Sequence, residues 1–444
     1  MSTPDSTVLE WRASLGAEYA APKRIPPLSL GELALGTSLA VDLAEGRSPG
    51  HAQRVCYIGM AIASHVGVDP RQAAGVFYGS LMHDLGVPFI AAEVTQRVGL
   101  DEDRIFGPQR QLLDKLMAML PEHEAEAVRR LTTSHIERGA ECAEDLHLPP
   151  AAVTAIRAHH ENWDGTGVPG VNAGDAIPIE ARIIGLSHFA ESVIAGQPSA
   201  LAARHSVAVA TAAQAGKELD PELVSIFERI VRRDSFWLGY YDDGLVELLA
   251  EARPAESHKR SRRMTMDFAH TFADVIDSKC GYRPGHSARC ANLARRLALQ
   301  AHLEEAHADL VWWAALMRDI GHLGVPSRIM AKSDILSIEE MQLVQMHPVH
   351  SKMIIEALPG MAEVARWVSM HHEWPDGKGY PDSLNDADIP LEAKIISVVD
   401  VFNALTSERP YRETLDREGA IEIIEGASGS QLDTDLVTLL RNVV

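Results

Sequence analysis

Long apolar runs, paired cysteines and positive charge are all scarce in this 444-residue chain. Each scarcity excludes something. The longest apolar run, around Val311 to Met317, is less than half of the ~20 residues that a membrane-spanning helix needs, so no membrane span is expected. The N-terminus has no basic stretch leading into an apolar one, so no secretory leader is expected either. The four cysteines, Cys56, Cys142, Cys280 and Cys290, form no CxxC pair and read as reduced thiols of a cytoplasmic protein. Lys and Arg total 41 against 62 Asp and Glu, a formal charge of −21. That balance is the reverse of what a nucleic-acid polymer would attract. A small anionic substrate could still be held, but by metal ions or a local arginine cluster. At 46% hydrophobic and 23% charged residues, the chain is too apolar to be disordered.

Histidine is abundant, with twenty residues, and its distribution follows an internal repeat. Pro49-Gly50-His51 recurs as Pro284-Gly285-His286, and Leu81-Met82-His83-Asp84 as Leu316-Met317-Arg318-Asp319, both at an offset of 235. The same offset maps Val55, Ile58 and Ile62 onto Cys290, Leu293 and Leu297, the i, i+3, i+7 stripe of an amphipathic helix. The register then changes to 212, pairing His135 with His347, His159-His160 with His371-His372, and His188 with Asp400. The copies therefore differ by a net 23 residues between the Asp and the next His. The expected organisation is a tail over residues 1–27, a first copy over 28–232, a connector over 233–260 and a second copy over 261–444. Apolar spacing of three and four predicts an all-α fold of two tandem helical bundles, with short loops at Asp164–Gly167 and Asp376–Gly379.

The first copy offers His51, His83, Asp84, His135, His159, His160 and His188. Imidazole and carboxylate without thiolate suit Fe, Mn, Co, Ni or Zn better than Ca. A carboxylate beside a histidine can bridge two metals while the imidazole binds one, and such a pair can generate hydroxide and clamp a phosphate. A single histidine on a helix is more often a surface or core residue than a ligand. An apolar core, however, would repeat as Leu or Val rather than as His-His.

The order His, His-Asp, His, His-His-Glu, Asp-Gly-x-Gly-x-Pro, Asp resembles the HD-GYP group of the HD metal-dependent phosphohydrolases. It is carried by His83-Asp84-Leu85-Gly86 and by His159 to Pro169 in copy one. In copy two it is carried by Arg318 to His322 and His371 to Pro381. The resemblance implies two tandem HD-type bundles and a cytoplasmic bacterial enzyme that hydrolyses a cyclic dinucleotide, cyclic di-GMP or cyclic GMP-AMP, to its linear form. It implies divalent ions, Fe or Mn foremost with Mg, Ni, Co or Zn as alternatives, two per active site at most. It also implies the partners of such enzymes, a diguanylate cyclase or other signalling protein and a second copy in a homodimer. In copy one, His51, His83, Asp84 and His188 would take one ion, and Asp84, His135, His159 and His160 the other, with His83 and Asp84 central to catalysis. An acid one helical turn before the first His, which a third ion would need, falls on Arg47 and Tyr282.

The departures from the pattern differ between the copies. Copy one has His188 where the group has Asp, Val87-Pro88 in place of a phosphate-contacting Lys, and Gln197 in place of an Arg. Copy two keeps His286, Asp319, His347, His371, His372 and Asp400 but has Arg318 where the His of His-Asp belongs and His322 in place of the Lys. One ion on Asp319, His347, His371 and His372 is expected there. Arg409, Arg412, Tyr380 and Gly379 stand at substrate-contact positions, and Gly377 and Gly379 could equally serve only to permit a tight turn. The alternative to an enzyme is a degenerate member acting as a cyclic-dinucleotide-binding or protein-interaction module.

Overall fold

The structure is a computed structural model, described for residue 22 and for residues 25–105, 117–255, 259–407 and 414–444. Arg409 and Arg412, and most of the 1–27 tail, lie outside the described residues. The fold is all-α. The strand residues among those described are two short segments, Leu28–Ser29 and Arg260–Ser261. No helix among the described residues is long and apolar enough to cross a membrane. The chain divides into two compact units, one of residues 28–260 with 326–328, the other of residues 1–27, 261–325 and 329–444.

The first unit is built from α1 (Leu30–Ala44), α2 (His51–Val66), α3 (Pro70–Met82), α4 (Val87–Val98), α5 (Glu122–Asp145), α6 (Pro150–Ala158), α7 (Ile179–Ala195), α8 (Ala200–Gln214), α9 (Pro221–Val231), α10 (Asp234–Tyr240) and α11 (Leu245–Glu251). Local signals set the helix starts. Ser29 caps α1 in a reciprocal box with Glu32, and Asp69 caps α3 with Gln72, Pro70 occupying the first turn. Helix α2 starts after Gly50 at φ 90° and stops at Gly67 at φ 75°, both left-handed positions that favour glycine. Its apolar face, Ile58 and Ile62, packs with Val76, Ile183, Leu186 and Phe227 into the main core. Helices α2, α3 and α7 pack on one another, and α6 packs on α3 and α7.

Two segments outside the two copies are also packed. The connector 233–260 contributes α10 and α11, and Phe236, Trp237 and Tyr240 are buried in the first unit's core. Of the tail, Ile25 is buried, and the Pro26 carbonyl accepts from the Thr265 hydroxyl inside the second unit.

The second unit runs α12 (Arg262–Lys279), α13 (His286–Gln300), α14 (Glu305–Met317), α15 (Ile338–Gln345), α16 (His347–Glu356), α17 (Ala362–Ser369), α18 (Leu391–Thr406), α19 (Arg417–Gly426) and α20 (Thr434–Leu440). It repeats the first unit's devices. Gly285, at φ 78°, precedes α13 as Gly50 precedes α2. Asp433 caps α20 as Asp220 caps α9. The net 23 residues of difference fall in the span between Asp84 and His135 that contains α4.

Candidate metal centres

In the first unit the metal-type residues sit at helix ends and on inward helix faces. His83 and His159 are the residues that close α3 and α6, His51 opens α2, and His135 and His188 face inward from α5 and α7. Two groups have ligand atoms within 4.8 Å of one another, Asp84 with His135, His159 and His160, and His51 with His83 and His188. These are the two sets expected from the sequence, except that Asp84 joins the His83 side through a third group, Glu45, His83 and Asp84.

Asp84 divides its oxygens between the sets. Its Oδ2 lies 3.2 Å from His83 Nε2, and its Oδ1 lies 3.4 Å from His135 Nε2 and 3.6 Å from His159 Nε2. The other ring nitrogens fix the tautomers. His83 Nδ1 is 2.8 Å from the Ser80 carbonyl and His159 Nδ1 is 2.7 Å from the Ile156 carbonyl, while His135 Nδ1 meets the Thr132 carbonyl. A carbonyl only accepts, so each Nδ1 carries the proton. Burial lowers the His83 pKa to about 3, so its ring is neutral at pH 7 and presents a bare Nε2 lone pair. Burial pushes the Asp84 carboxyl up, but His83, with His135 and His159, outweighs it and holds the group well below the usual range. The Nε2 atoms of three imidazoles thus converge on one ionised carboxylate. A cation satisfies that arrangement, and the donor set fits Fe, Mn or a similar divalent ion.

Three further residues complete the centre. Glu191, fully buried, accepts from His51 Nδ1 and, at 2.9 Å, from Arg54 Nε, leaving His51 Nε2 buried without a hydrogen bond. Burial would raise the Glu191 carboxyl, but His51 and Arg54 bring it down to about 2. Such an outer carboxylate orients a ligating imidazole and raises its basicity. Glu45, also fully buried, is pushed well up by burial and by the Asp84 charge, and its Oε1 has no hydrogen bond. Arg47, at the position where an acid would serve a third ion, instead contacts His188 Nε2 at 2.9 Å, Ser192 Oγ at 3.2 Å and Glu45 at 3.1 Å.

The motif glycines have steric reasons. A Cβ on Gly86 would lie 1.9 Å from the His135 carbonyl oxygen, and one on Gly321 2.0 Å from that of His347. The glycine after His-Asp therefore lets the next histidine helix approach. A Cβ on Gly379 would lie 2.4 Å from the Trp374 nitrogen, whereas Gly377 has φ 76°. The two loop glycines serve close approach and turn formation respectively. The motif glutamates anchor the loops. Glu161 accepts from the nitrogens of Gly170 and Val171 at 3.0 Å each, and Glu373 from those of Asp382 at 2.6 Å and Leu384 at 2.8 Å. Tyr380 stacks on His372 with ring centroids 4.8 Å apart.

The second unit assembles only part of its expected set. His347, His371 and His372 form one group, and Asp319, His322 and His347 another. His286 belongs to neither group. Its ring meets the Asn403 amide at 3.1 Å and Tyr282 at a centroid distance of 4.2 Å. Asp400 is paired with Arg318, whose Nε and Nη2 each lie 2.8 Å from its Oδ1.

The HD domain family matches residues 114–223 and 270–436. The chain is 28% identical to the 3′3′-cGAMP-specific phosphodiesterase 3 of Vibrio cholerae, covering 94% of both chains. It is 26% identical to the 3′3′-cGAMP-specific phosphodiesterase 1 of the same organism, over 88% of this chain and 86% of that one. It also resembles the crystal structure of a cyclic GMP-AMP-specific phosphodiesterase of V. cholerae, with a TM-score of 0.68 and 25% identity over 94% of this chain and 98% of the other.

Proposed function

The chain belongs to the HD domain family, and from that premise we propose that it is a metal-dependent phosphodiesterase that opens a 3′3′-linked cyclic dinucleotide, cyclic GMP-AMP or cyclic di-GMP, to the linear dinucleotide. The observation that carries this reading is the Asp84 carboxylate set between two groups of imidazoles in the first unit. His51, His83, Asp84 and His188 would hold one ion, and Asp84, His135, His159 and His160 the second. Iron or manganese suits these donors. Bound there, the ions would supply charge neutralisation at the phosphodiester and acidify water for in-line attack.

The chain's own residues do the rest. The carbonyls of Ser80 and Ile156 hold the Nδ1 protons of His83 and His159, and Glu191 holds that of His51, so that each Nε2 faces inward. Gly86 sets the approach of His135. His160 and His188 are half-buried, which makes their side the open one for a phosphodiester. The buried thiols of Cys56, Cys142 and Cys290, which are not joined in disulfides, accord with a reducing cytoplasm, where cyclic dinucleotides act. The reading extends to a homodimer and to a signalling partner such as a diguanylate cyclase, each testable by sizing the purified chain with and without that partner.

The test is incubation of the full chain with Mn²⁺ or Fe²⁺ and each cyclic dinucleotide, with products separated by chromatography. Asp84→Ala is expected to lower turnover by about a thousandfold or more, and Asp319→Ala by less than about tenfold. The opposite ranking would place catalysis in the second unit. Binding without product from the unaltered chain, with either metal, would instead make the protein a cyclic-dinucleotide receptor.

A further inference from the structure

Arg318 occupies the second unit where a cation would be held in the first. Its Nη1 donates to the Ala315 carbonyl at 2.9 Å, three residues back, as His83 Nδ1 donates to the Ser80 carbonyl. The longer side chain then reaches past the point where an imidazole would stop. Nη2 lies 2.9 Å from Asp319 Oδ2 and 2.8 Å from Asp400 Oδ1. The guanidinium, 1% exposed, bridges the two carboxylates that the family pattern assigns to the first ion. A divalent ion in contact with the same oxygens would meet a fixed positive charge at close range.

The other face of Asp319 is differently placed. Its Oδ1 lies 3.7 Å from His322 Nε2, 3.7 Å from His347 Nε2 and 3.9 Å from His371 Nε2. His347 and His371 donate Nδ1 to the carbonyls of Val344 and Val368 at 2.8 and 2.6 Å, so their Nε2 atoms are acceptors aimed at that oxygen. His322 is buried, its ring 3.8 Å from that of His347. An imidazole therefore stands where a lysine ammonium would have added positive charge.

We propose that the second unit is a centre of two cations of different kinds, one the chain's own Arg318 guanidinium and the other a single divalent transition-metal ion held by Asp319, His322, His347, His371 and His372. Asp400 serves the guanidinium and not the ion, and His322 is a ligand that the family pattern does not supply. This goes beyond the hydrolysis assigned to the first unit and does not depend on it.

The test counts ions rather than turnover. In the full chain, His83→Ala, Asp84→Ala and His135→Ala together remove the bridging carboxylate and one further ligand from each of the first unit's two groups. The protein is then loaded with Co²⁺, desalted and assayed for bound metal, with its fold checked by circular dichroism. About one Co²⁺ per chain is expected. Adding Asp400→Asn should leave that count unchanged, and adding His322→Ala should weaken Co²⁺ binding about tenfold or more. Adding Arg318→His should raise the count to about two. No retained ion in the starting background, loss of the ion on Asp400→Asn, or unaltered affinity on His322→Ala would each overturn the proposal. If Arg318→His does not fold, the Asp400→Asn and His322→Ala arms decide it.

Discussion

His51 can serve as a strong ligand only while Glu191 holds its Nδ1 proton. Glu191→Gln is therefore expected to lower the first unit's affinity for a divalent ion by about 10- to 100-fold, read by titration with Co²⁺. Arg47 works in the other direction, because its guanidinium lies 2.9 Å from the His188 nitrogen that would bind metal. Arg47→Met should raise that affinity about tenfold, since a like charge at contact distance is removed. The candidate ligands themselves are legible in the sequence because His, His-Asp and His-His recur in order. Glu45 is not legible in the same way. Helical spacing puts the acid of a third ion one turn before His51, but α1 ends at Ala44 and α2 begins at His51, so the intervening residues form a turn to which that spacing does not apply. Glu191 is absent from the motif, although it lies three residues after His188 on the same face of α7, a spacing that could have pointed to it. The side-chain partners of Arg318 are three-dimensional facts, and position alone predicts only that it would repel an ion.

The helices depend on the glycine that follows each His-Asp or Arg-Asp pair. Gly86→Ala would force α5 away from the end of α3, because the added carbon would meet the His135 carbonyl. A loss of about 1–3 kcal/mol in unfolding free energy is expected, together with loss of the ion shared by Asp84 and His135. Gly426→Ala is the matched control. It sits in α19, where an added Cβ would meet nothing within 4 Å, so it should be neutral or stabilise by up to about 1 kcal/mol. Denaturant melts of both variants check this. The helical elements follow from apolar spacing, and the starts of α9 and α20 from the shared Asp220 and Asp433. The packing of α10 and α11 does not, because the charged residues that follow them, Glu256 to Arg263, resemble a linker. The signal lies in Phe236, Trp237 and Tyr240, a dense aromatic group in a chain with only 5% aromatic residues.

Across the whole molecule, one buried carboxylate is duplicated with the fold. Asp42 accepts from the nitrogens of Gly50 at 2.7 Å and Ala52 at 2.8 Å. Its counterpart Asp277 accepts from the Ser287 nitrogen at 3.1 Å and hydroxyl at 2.6 Å. Each ties down the turn that launches the first histidine of its unit. Burial raises Asp42 to about 6 and Asp277 to about 7, from an ordinary value of 3.8. Between those values the folded chain binds more protons than the unfolded one, so each group makes stability fall as pH rises. Asp42→Asn should leave the melting of metal-stripped protein nearly unchanged at pH 4 and stabilise it by about 2 kcal/mol at pH 8. A difference that grows toward acid would contradict the assignment.

Arg318 gives the duplication one more consequence. An ion held by histidines has an off-rate, whereas a guanidinium joined to the backbone has none. When free metal becomes scarce, Asp84 and Asp319 both lose the ions proposed for them, but Asp319 and Asp400 keep the Arg318 guanidinium. Scarcity of iron or manganese would therefore empty the proposed ion sites of both halves and leave only the second gathered around a charge of its own.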